Sequence, residues 1–269
     1  MAFPSHAVIV TAAGSSDRFN ESKEIGVKKE YLNLGGHTVL YQSVRPFLGI
    51  PNCRAIVVTH PEGMEDQCAV ALEDLLEQNL VPIILVKGGK NRQESVLNGL
   101  ELLATLSLPI KYVAIHDGAR PYVSEELIIT TLATATIFGG AVPALSTTDA
   151  IKTIDEHGQI IGHSNRQQTV GVQTPQIFRY PEILEAHRRA AGTTNTYIDD
   201  TEIFTDYNQW VGICEGERTN IKITYLSDIP DAEEQIKRYL ADLEAGKKQA
   251  RINEAFGSAL SQAKPRRMG

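Results

Sequence analysis

Residues 6–18, HAVIVTAAGSSDR, read as a short β-branched run passing directly into a turn of small residues. The same unit recurs downstream. Further runs at Arg54–His60, Pro82–Lys87 and Lys111–His116 alternate with segments whose apolar residues fall at helical spacing: Thr38–Leu48, Gly63–Glu77, Arg92–Leu106 and Ser124–Phe138. Ser124 followed by Glu126 is a helix-start signal. Strand and helix in alternation predict βα units, hence an α/β chain whose sheet is doubly wound and mostly parallel. Gly140–Leu145 continues it as another buried strand. The rhythm then breaks, because Ile151–Asp155 and Gln159–Ile161 flank the turn Glu156-His157-Gly158 as an extended β-hairpin, with Gln167–Gln173 as a returning strand. Pro181–Ala191 reads as a helix, Trp210–Cys214 and Ile221–Tyr225 as the last strands, and Asp228–Leu243 as an amphipathic helix. This organisation gives one domain over residues 1–245, with the hairpin arm at about 147–172, and a basic tail over 246–269.

Composition narrows the function classes. Apolar residues make up 42% of the 269 and charged residues 22%, which suits a folded core and excludes disordered and coiled-coil classes. Acids outnumber bases 33 to 26, for a net charge of −7, so no chain-wide footprint for nucleic acid exists. No stretch approaches the roughly 20 apolar residues of a membrane helix, and the start MAFPSHAVIV lacks the pattern of a secretory leader, so a cytoplasmic protein with no membrane partner is expected. Cys53, Cys68 and Cys214 are odd in number and widely spaced, which argues against disulfides and against a cysteine-built zinc site.

The chemistry-bearing residues gather at strand ends. In Ala12-Ala13-Gly14-Ser15-Ser16-Asp17-Arg18, small side chains let successive backbone N–H groups form a nest for phosphate oxygens. Ligands of open α/β sheets sit at this end of the strands. Neither a GxGxxG nor a GxxxxGK[ST] pattern is present, so the dinucleotide and P-loop sites are excluded. Lys23, Lys28 and Lys29 follow the first turn. A second glycine turn, Gly88-Gly89-Lys90-Asn91-Arg92, precedes Ser95, and a third strand end carries His116-Asp117-Gly118-Ala119-Arg120-Pro121. Each turn alone can serve backbone geometry only. Together with Arg166, Gln173-Thr174-Pro175-Gln176 and Asn220-Ile221-Lys222, they make a vocabulary of Arg, Lys, Gly and Ser suited to polyphosphate. The seven histidines form no metal-ligand pattern, and no GxSxG elbow supports a serine hydrolase.

In order and spacing, AAGSSDR, KKEYLNLGG, VKGGKNRQESVLNGL, IHDGARPYV, VPALSTTDAIK, QTPQIF and NIKIT resemble the 2-C-methyl-D-erythritol 4-phosphate cytidylyltransferases from about Ala7 to Ala232. The resemblance implies a Rossmann-like nucleotidyltransferase sheet, CTP and a polyol phosphate as substrates, Mg²⁺, and a homodimer joined through the hairpin arm. It implies that Ala12, Ala13, Gly14 and Ser16 wrap the triphosphate, while Gly89, Ser95, Asp117 and Gly118 hold cytosine and ribose. Arg18 and Lys29 match residues that stabilise the transition state, and Arg166 and Lys222 those that position the substrate phosphate. Asp117, Arg120 and Thr174 match further polyol contacts; metal ligands stay unassigned. A phosphate monoester is largely dianionic at neutral pH, so its oxygen can attack without a general base, and fixed cations do the harder work.

Three positions depart from the family's pattern. Ser16 stands where a second glycine is usual, so its backbone must tolerate a Cβ and can add a hydroxyl. Lys28-Lys29-Glu30-Tyr31-Leu32 replaces PKQYL but keeps the key lysine. Ala150 falls where a substrate-contacting threonine is expected, with Thr147 or Thr148 as replacements. Two other readings compete: a cytidylyltransferase for ribitol 5-phosphate or a related polyol phosphate, and a nucleotide-binding regulator without catalysis.

Overall fold

The computed structural model describes residues 3–16, 19, 27–232, 234–238 and 241. The chain divides into two compact units, Met1–Thr224 and Tyr225–Gly269. In chain order the first unit contains β1 (His6–Thr11), a 3-10 turn at Lys29–Tyr31, β2 (Asn33–Leu34), β3 (His37–Thr38), α1 (Val39–Leu48), β4 (Cys53–His60), α2 (Glu65–Ala71), α3 (Glu73–Gln78) and β5 (Ile83–Lys87). There follow α4 (Arg92–Thr105), β6 (Tyr112–Asp117), α5 (Glu125–Phe138), β7 (Gly140–Ser146), β8 (Lys152–Ile154), β9 (Ile160–His163), β10 (Val170–Val172), β11 (Gln176–Arg179), α6 (Tyr180–Ala191), α7 (Asp200–Asp206) and β12 (Val211–Glu215).

Eight strands form the main sheet in the order β10-β7-β11-β6-β1-β4-β5, with β12 parallel to β7. β1 lies parallel between β4 and β6, whereas β11 enters antiparallel between β6 and β7. Alternation along β1 explains why both faces need helices. Val8 and Val10 join one buried cluster with Leu40, Val44, Phe47 and Ile128, while Ala7 and Ile9 join the opposite one with Val96, Leu100, Phe178 and Phe204. Gly99 lets α4 lie close to β1, since a Cβ there would stand 3.0 Å from Ile9 Cγ2. The β1–β6 register sets Thr11 beside Asp117, which aligns the strand ends that carry the first and third turns.

The doubly wound, mostly parallel sheet matches the expectation, and three local readings need correction. Gly63–Glu77 is two helices rather than one. Leu72 leaves helical geometry at φ −118°, ψ 8°, and its N–H bonds back to Ala69 and Val70; the kink buries both Leu72 and Leu75. Ile221–Tyr225 is not a ladder strand: Ile223 N–H reaches Ala119 O at 2.8 Å, one bond to the loop after β6. The returning strand narrows to Val170–Val172 and pairs with β7, while β8 and β9 pair with each other as a separate hairpin. In the second unit, residues 232, 234–238 and 241 are helical; the rest of the helix expected over Asp228–Leu243, and the tail over 246–269, lie outside the described residues.

Candidate active site

A cavity of about 510 Å³ opens at the ends of β1, β5 and β6. Its floor is the turn after β1. Ala12 is buried beneath it and donates its N–H to Thr59 Oγ1 at 3.2 Å, while Ala13, Gly14, Ser15 and Ser16 face the cavity. The turn after β5 packs directly against this loop: a Cβ on Gly88 would fall 2.2 Å from Ala13 Cβ, so only glycine allows the approach. Gly14, by contrast, would point a Cβ at nothing within 4 Å, which leaves the backbone there open to a ligand.

Two of the departures, Ser16 and the Lys28–Glu30 segment, meet at the loop's base in one clasp. Ser16 sits in the left-handed region at φ 60°, and its Oγ lies 3.4 Å from Glu30 Oε2. Lys28 Nζ bonds the Gly14 carbonyl and pairs with Glu30 Oε2 at 3.2 Å. Lys28 and Glu30 are both buried. Lys29, next in sequence, points the other way: its ammonium donates to Ile223 O at 2.6 Å. Burial lowers the Lys29 pKa below its ordinary value, with Lys222 and Lys28 adding to that effect and Glu30 opposing it. The site thus holds a desolvated cation against the cavity wall, able to interact with developing negative charge more strongly than a hydrated lysine.

Asp117 faces Lys29 territory from β6. Its Oδ2 is 2.7 Å from Lys222 Nζ and its Oδ1 is 3.4 Å from Arg92 Nε. Burial alone would raise its pKa, but the Lys222 and Arg92 charges outweigh that and hold the carboxyl far below the usual range. Behind it, His116 Nε2 lies 3.2 Å from Arg120 O, so that nitrogen carries the proton. His116 Nδ1 then accepts from Thr174 Oγ1 at 3.0 Å, and Thr174 Oγ1 accepts the Asp117 N–H at 3.1 Å. Full burial pushes the His116 pKa down to about 4, which keeps this relay neutral.

The geometry brings together Ala13, Gly14, Ser16, Lys29, Gly89, Ser95, Asp117 and Lys222 around one cavity. Ser95 accepts the Gly89 N–H at 3.0 Å and donates to Asn91 O at 2.8 Å, so it also shapes the turn. Gly118 is buried under the loop, where its N–H bonds Thr11 O at 2.9 Å. Thr174 and Arg120 stand behind the wall; Arg120 Nη1 holds Asn220 O at 2.7 Å and so fixes the segment presenting Lys222. Arg166 is not brought to the cavity: it is exposed on the arm and donates to the Thr147 and Thr148 carbonyls. Thr147, Thr148 and Ala150 lie there with it. Arg18 lies outside the described residues. Sequence reasoning missed Arg92 as a site residue, although its place one residue past the helix-capping Asn91 was a usable signal. It named Gln173 within the Gln173–Gln176 motif but not its role: Nε2 donates to Glu217 O at 2.7 Å and braces the same segment.

Among the described residues no group of three His, Cys, Asp or Glu side chains could hold a metal ion by itself, and no helix is long and apolar enough to cross a membrane.

Residues 6–238 match the family model of 2-C-methyl-D-erythritol 4-phosphate cytidylyltransferase. The enzyme of that name from Clostridium novyi is 32% identical over 230 residues, 85% of this chain and 95% of that protein. A bifunctional enzyme, IspD/IspF, of Rhodobacter capsulatus is 40% identical over 227 residues, 84% of this chain but 55% of that protein, so the chain spans about half the length of such bifunctional relatives. Among solved structures, the 4-diphosphocytidyl-2C-methyl-D-erythritol synthase of Anaerococcus prevotii superposes with a TM-score of 0.72 at 27% identity, over 87% of this chain and 96% of that one. The cytidylyltransferase of Thermus thermophilus gives 0.63 at 27% identity, over 82% and 93%. With a family match spanning nearly the whole first unit and full-length relatives above 30% identity, the chain belongs to the 2-C-methyl-D-erythritol 4-phosphate cytidylyltransferase family.

Proposed function

We propose that this chain transfers CMP from CTP to 2-C-methyl-D-erythritol 4-phosphate, releasing pyrophosphate, in isoprenoid precursor synthesis. The observation that carries the reading is the pair of fixed cations, Lys29 and Lys222, on a cavity floored by the Ala13–Ser16 turn. A phosphate oxygen of the polyol attacks the α-phosphorus of CTP, the bond from that phosphorus to the bridging oxygen of the β-phosphate breaks, and pyrophosphate leaves with the electron pair. The attacking oxygen is already deprotonated at neutral pH, which fits a cavity that no described histidine lines. The Ala13–Ser16 backbone would hold the triphosphate, the turn at Gly89 and Ser95 would hold the nucleoside, and Lys222 would hold the polyol phosphate beside Asp117.

Mg²⁺ fits this donor set. Among the described residues two carboxylates line the cavity, Asp117 and Glu30, each ion-paired within the chain, and Mg²⁺ on a nucleotide keeps waters and phosphate oxygens while using one or two such groups. When bound, the ion would neutralise charge on the phosphates. The enzyme is also proposed to be a cytoplasmic homodimer. Three free cysteines support the compartment, and the arm supports the dimer: Ile154, Ile160 and Ile161 are exposed on it, and Arg166 is exposed there outside its own chain's cavity. A second copy would cover the isoleucines and take Arg166 into its site.

The test is Mg²⁺-dependent pyrophosphate release from CTP with methylerythritol phosphate and ribitol 5-phosphate side by side, the other nucleoside triphosphates serving as controls. Preference for CTP with methylerythritol phosphate is expected. Release only with another polyol phosphate would overturn the substrate, and binding of CTP without turnover on any polyol would overturn the enzyme reading.

A further inference from the structure

Asp117 does not meet its cations in isolation. Behind the cavity runs a file of alternating groups that the reaction as described does not use. His187 Nε2 lies 3.1 Å from Asp200 Oδ1, Asp200 Oδ2 lies 2.7 Å from Arg92 Nη1, and Arg92 Nε lies 3.4 Å from Asp117 Oδ1. The side chains of His187 and Asp200 are 0% exposed and line no part of the cavity. They come from α6 and from the first turn of α7, Arg92 from the start of α4, and Asp117 from the end of β6.

A fully buried carboxylate is a costly way to hold a fold together, since well-packed apolar groups stabilise such a position as well or better. The arrangement is nevertheless built with care. A carboxylate only accepts, so His187 donates from Nε2, while its Nδ1 has no hydrogen-bond partner among the described residues. That bond occupies Asp200 Oδ1 and leaves Oδ2 for Arg92. The Asp200 backbone is held as well, its N–H reaching Gln176 Oε1 at 3.2 Å while Gln176 Nε2 donates to Asp199 Oδ2 at 2.9 Å. Arg92 is thus gripped at one end of its planar fork, and the other end is set against Asp117. Without Asp200 the guanidinium would have a single 3.4 Å contact to fix a long, rotatable side chain.

We propose that Asp200, oriented by His187, is a positioning residue for the reaction: it holds the Arg92 guanidinium on Asp117 Oδ1, so that Asp117 Oδ2 fixes the Lys222 ammonium where it meets the substrate phosphate. The proposal rests on the reading of the cavity given above, and it assigns a catalytic consequence to α6 and α7, elements that never reach the cavity.

The test uses the full chain with Asp200→Asn, which keeps shape and removes charge, and His187→Gln as the milder variant should Asp200→Asn fail to fold. Assays are run well below each variant's melting temperature. Asp200→Asn is expected to lower kcat/KM for the polyol phosphate by about 10- to 100-fold, as misplacement of a reacting group does, while KM for CTP stays within about threefold. His187→Gln should move the same parameter in the same direction. A purely structural role predicts losses that follow the folded fraction and spare neither substrate. In an Asp117→Asn background, Asp200→Asn should cost no more than about twofold, because the group it positions is gone; an undiminished loss there would overturn the proposal. A second readout needs no turnover. The Arg92 Nε–H resonance should be protected from solvent exchange in the wild type and lose that protection in Asp200→Asn or His187→Gln; unchanged protection would also overturn the proposal. A wild-type chain inactive on every polyol phosphate would sink the functional reading, and the Arg92 resonance would still decide the positioning claim.

Discussion

The cavity and the β8–β9 arm handle charge in opposite ways. At the cavity, three described cations have a fixed partner from another element: Lys29 on Ile223 O, Lys222 on Asp117, Arg92 between Asp117 and Asp200. On the arm, Arg166 is held by carbonyls of Thr147 and Thr148, and Lys152 meets the exposed His163 at 3.0 Å across the hairpin. Those three cavity cations are set before a ligand arrives, whereas Arg166 is exposed and does not line its own chain's cavity. The difference teaches that preorganisation here is a property of the sheet ends; under the dimer proposed above, the arm's contribution would depend on assembly.

The largest effect should come from the preorganised side. Lys29→Ala should cost on the order of 2.7–4 kcal/mol in the barrier, or about 10²–10³ in kcat, as loss of one fixed donor does elsewhere. Pyrophosphate release measures it, and turnover within threefold of wild type would sink the assignment of Lys29. The same variant sharpens the contrast with the arm. If Arg166 works in the partner's site, mixing Lys29→Ala with Arg166→Ala dimers and letting subunits exchange should restore about a quarter of the sites, since half the dimers become mixed and each has one intact site. Mixed dimers without recovered activity would show that Arg166 does not act across the interface.

His116 gives the next effect, and one the arm cannot show. Its folded pKa of about 4 lies below the ordinary 6.5, so between these values the unfolded chain binds the proton that the folded chain refuses. Stability therefore rises with pH across that window and is lost as pH falls from about 6.5 toward about 4, by up to about 3 kcal/mol. His6, also lowered by burial, acts in the same direction. Urea unfolding at pH 7 and pH 4.5 checks it: wild type should lose clearly more stability than His116→Gln. Equal losses would mean that the buried ring is not the group that titrates. Smaller again is the effect of Ile154→Asp with Ile160→Asp, which should weaken the dimer at least about tenfold by placing two charges in an apolar contact. Light scattering at micromolar concentration reads the outcome, and an unchanged mass would remove the arm from the interface.

The same contrast explains what could be read in advance. The sheet was legible because β-branched runs at both-face-buried strands carry a strong signal, and the cavity loops were legible because glycine turns at strand ends are local in sequence. The arm's turn, Glu156-His157-Gly158, was legible for the same reason. The charge file was not. Asp200 lies in a helix of 7 residues and His187 in an ordinary amphipathic helix, and only tertiary packing puts them behind Arg92, whose number is about a hundred away. The four-residue strand Gln176–Arg179 was missed because so short a run in the middle of a sheet is decided by its neighbours β6 and β7, not by its own pattern. Ile221–Tyr225 shows the converse: an alternating, β-branched segment that meets loop carbonyls and side chains rather than pairing with a strand.

Ser16 tests the finest point of the comparison, whether the cavity's floor owes its shape to backbone or to side chains. A serine at φ 60° bears a steric cost that glycine avoids, of order 1 kcal/mol, while glycine costs a similar amount in backbone entropy. The Ser16 hydroxyl adds a 3.4 Å contact to Glu30, at the long end of useful hydrogen bonds. These effects nearly cancel, so Ser16→Gly should leave stability within about 1 kcal/mol of wild type and KM for CTP within about threefold. The Gly14 carbonyl would still be held by Lys28, which keeps the loop's path. A large rise in KM would instead show that the hydroxyl, through Glu30 and Lys28, is what holds the turn open for the triphosphate, and the floor would then belong with the side-chain networks around Asp117 rather than with the backbone nests.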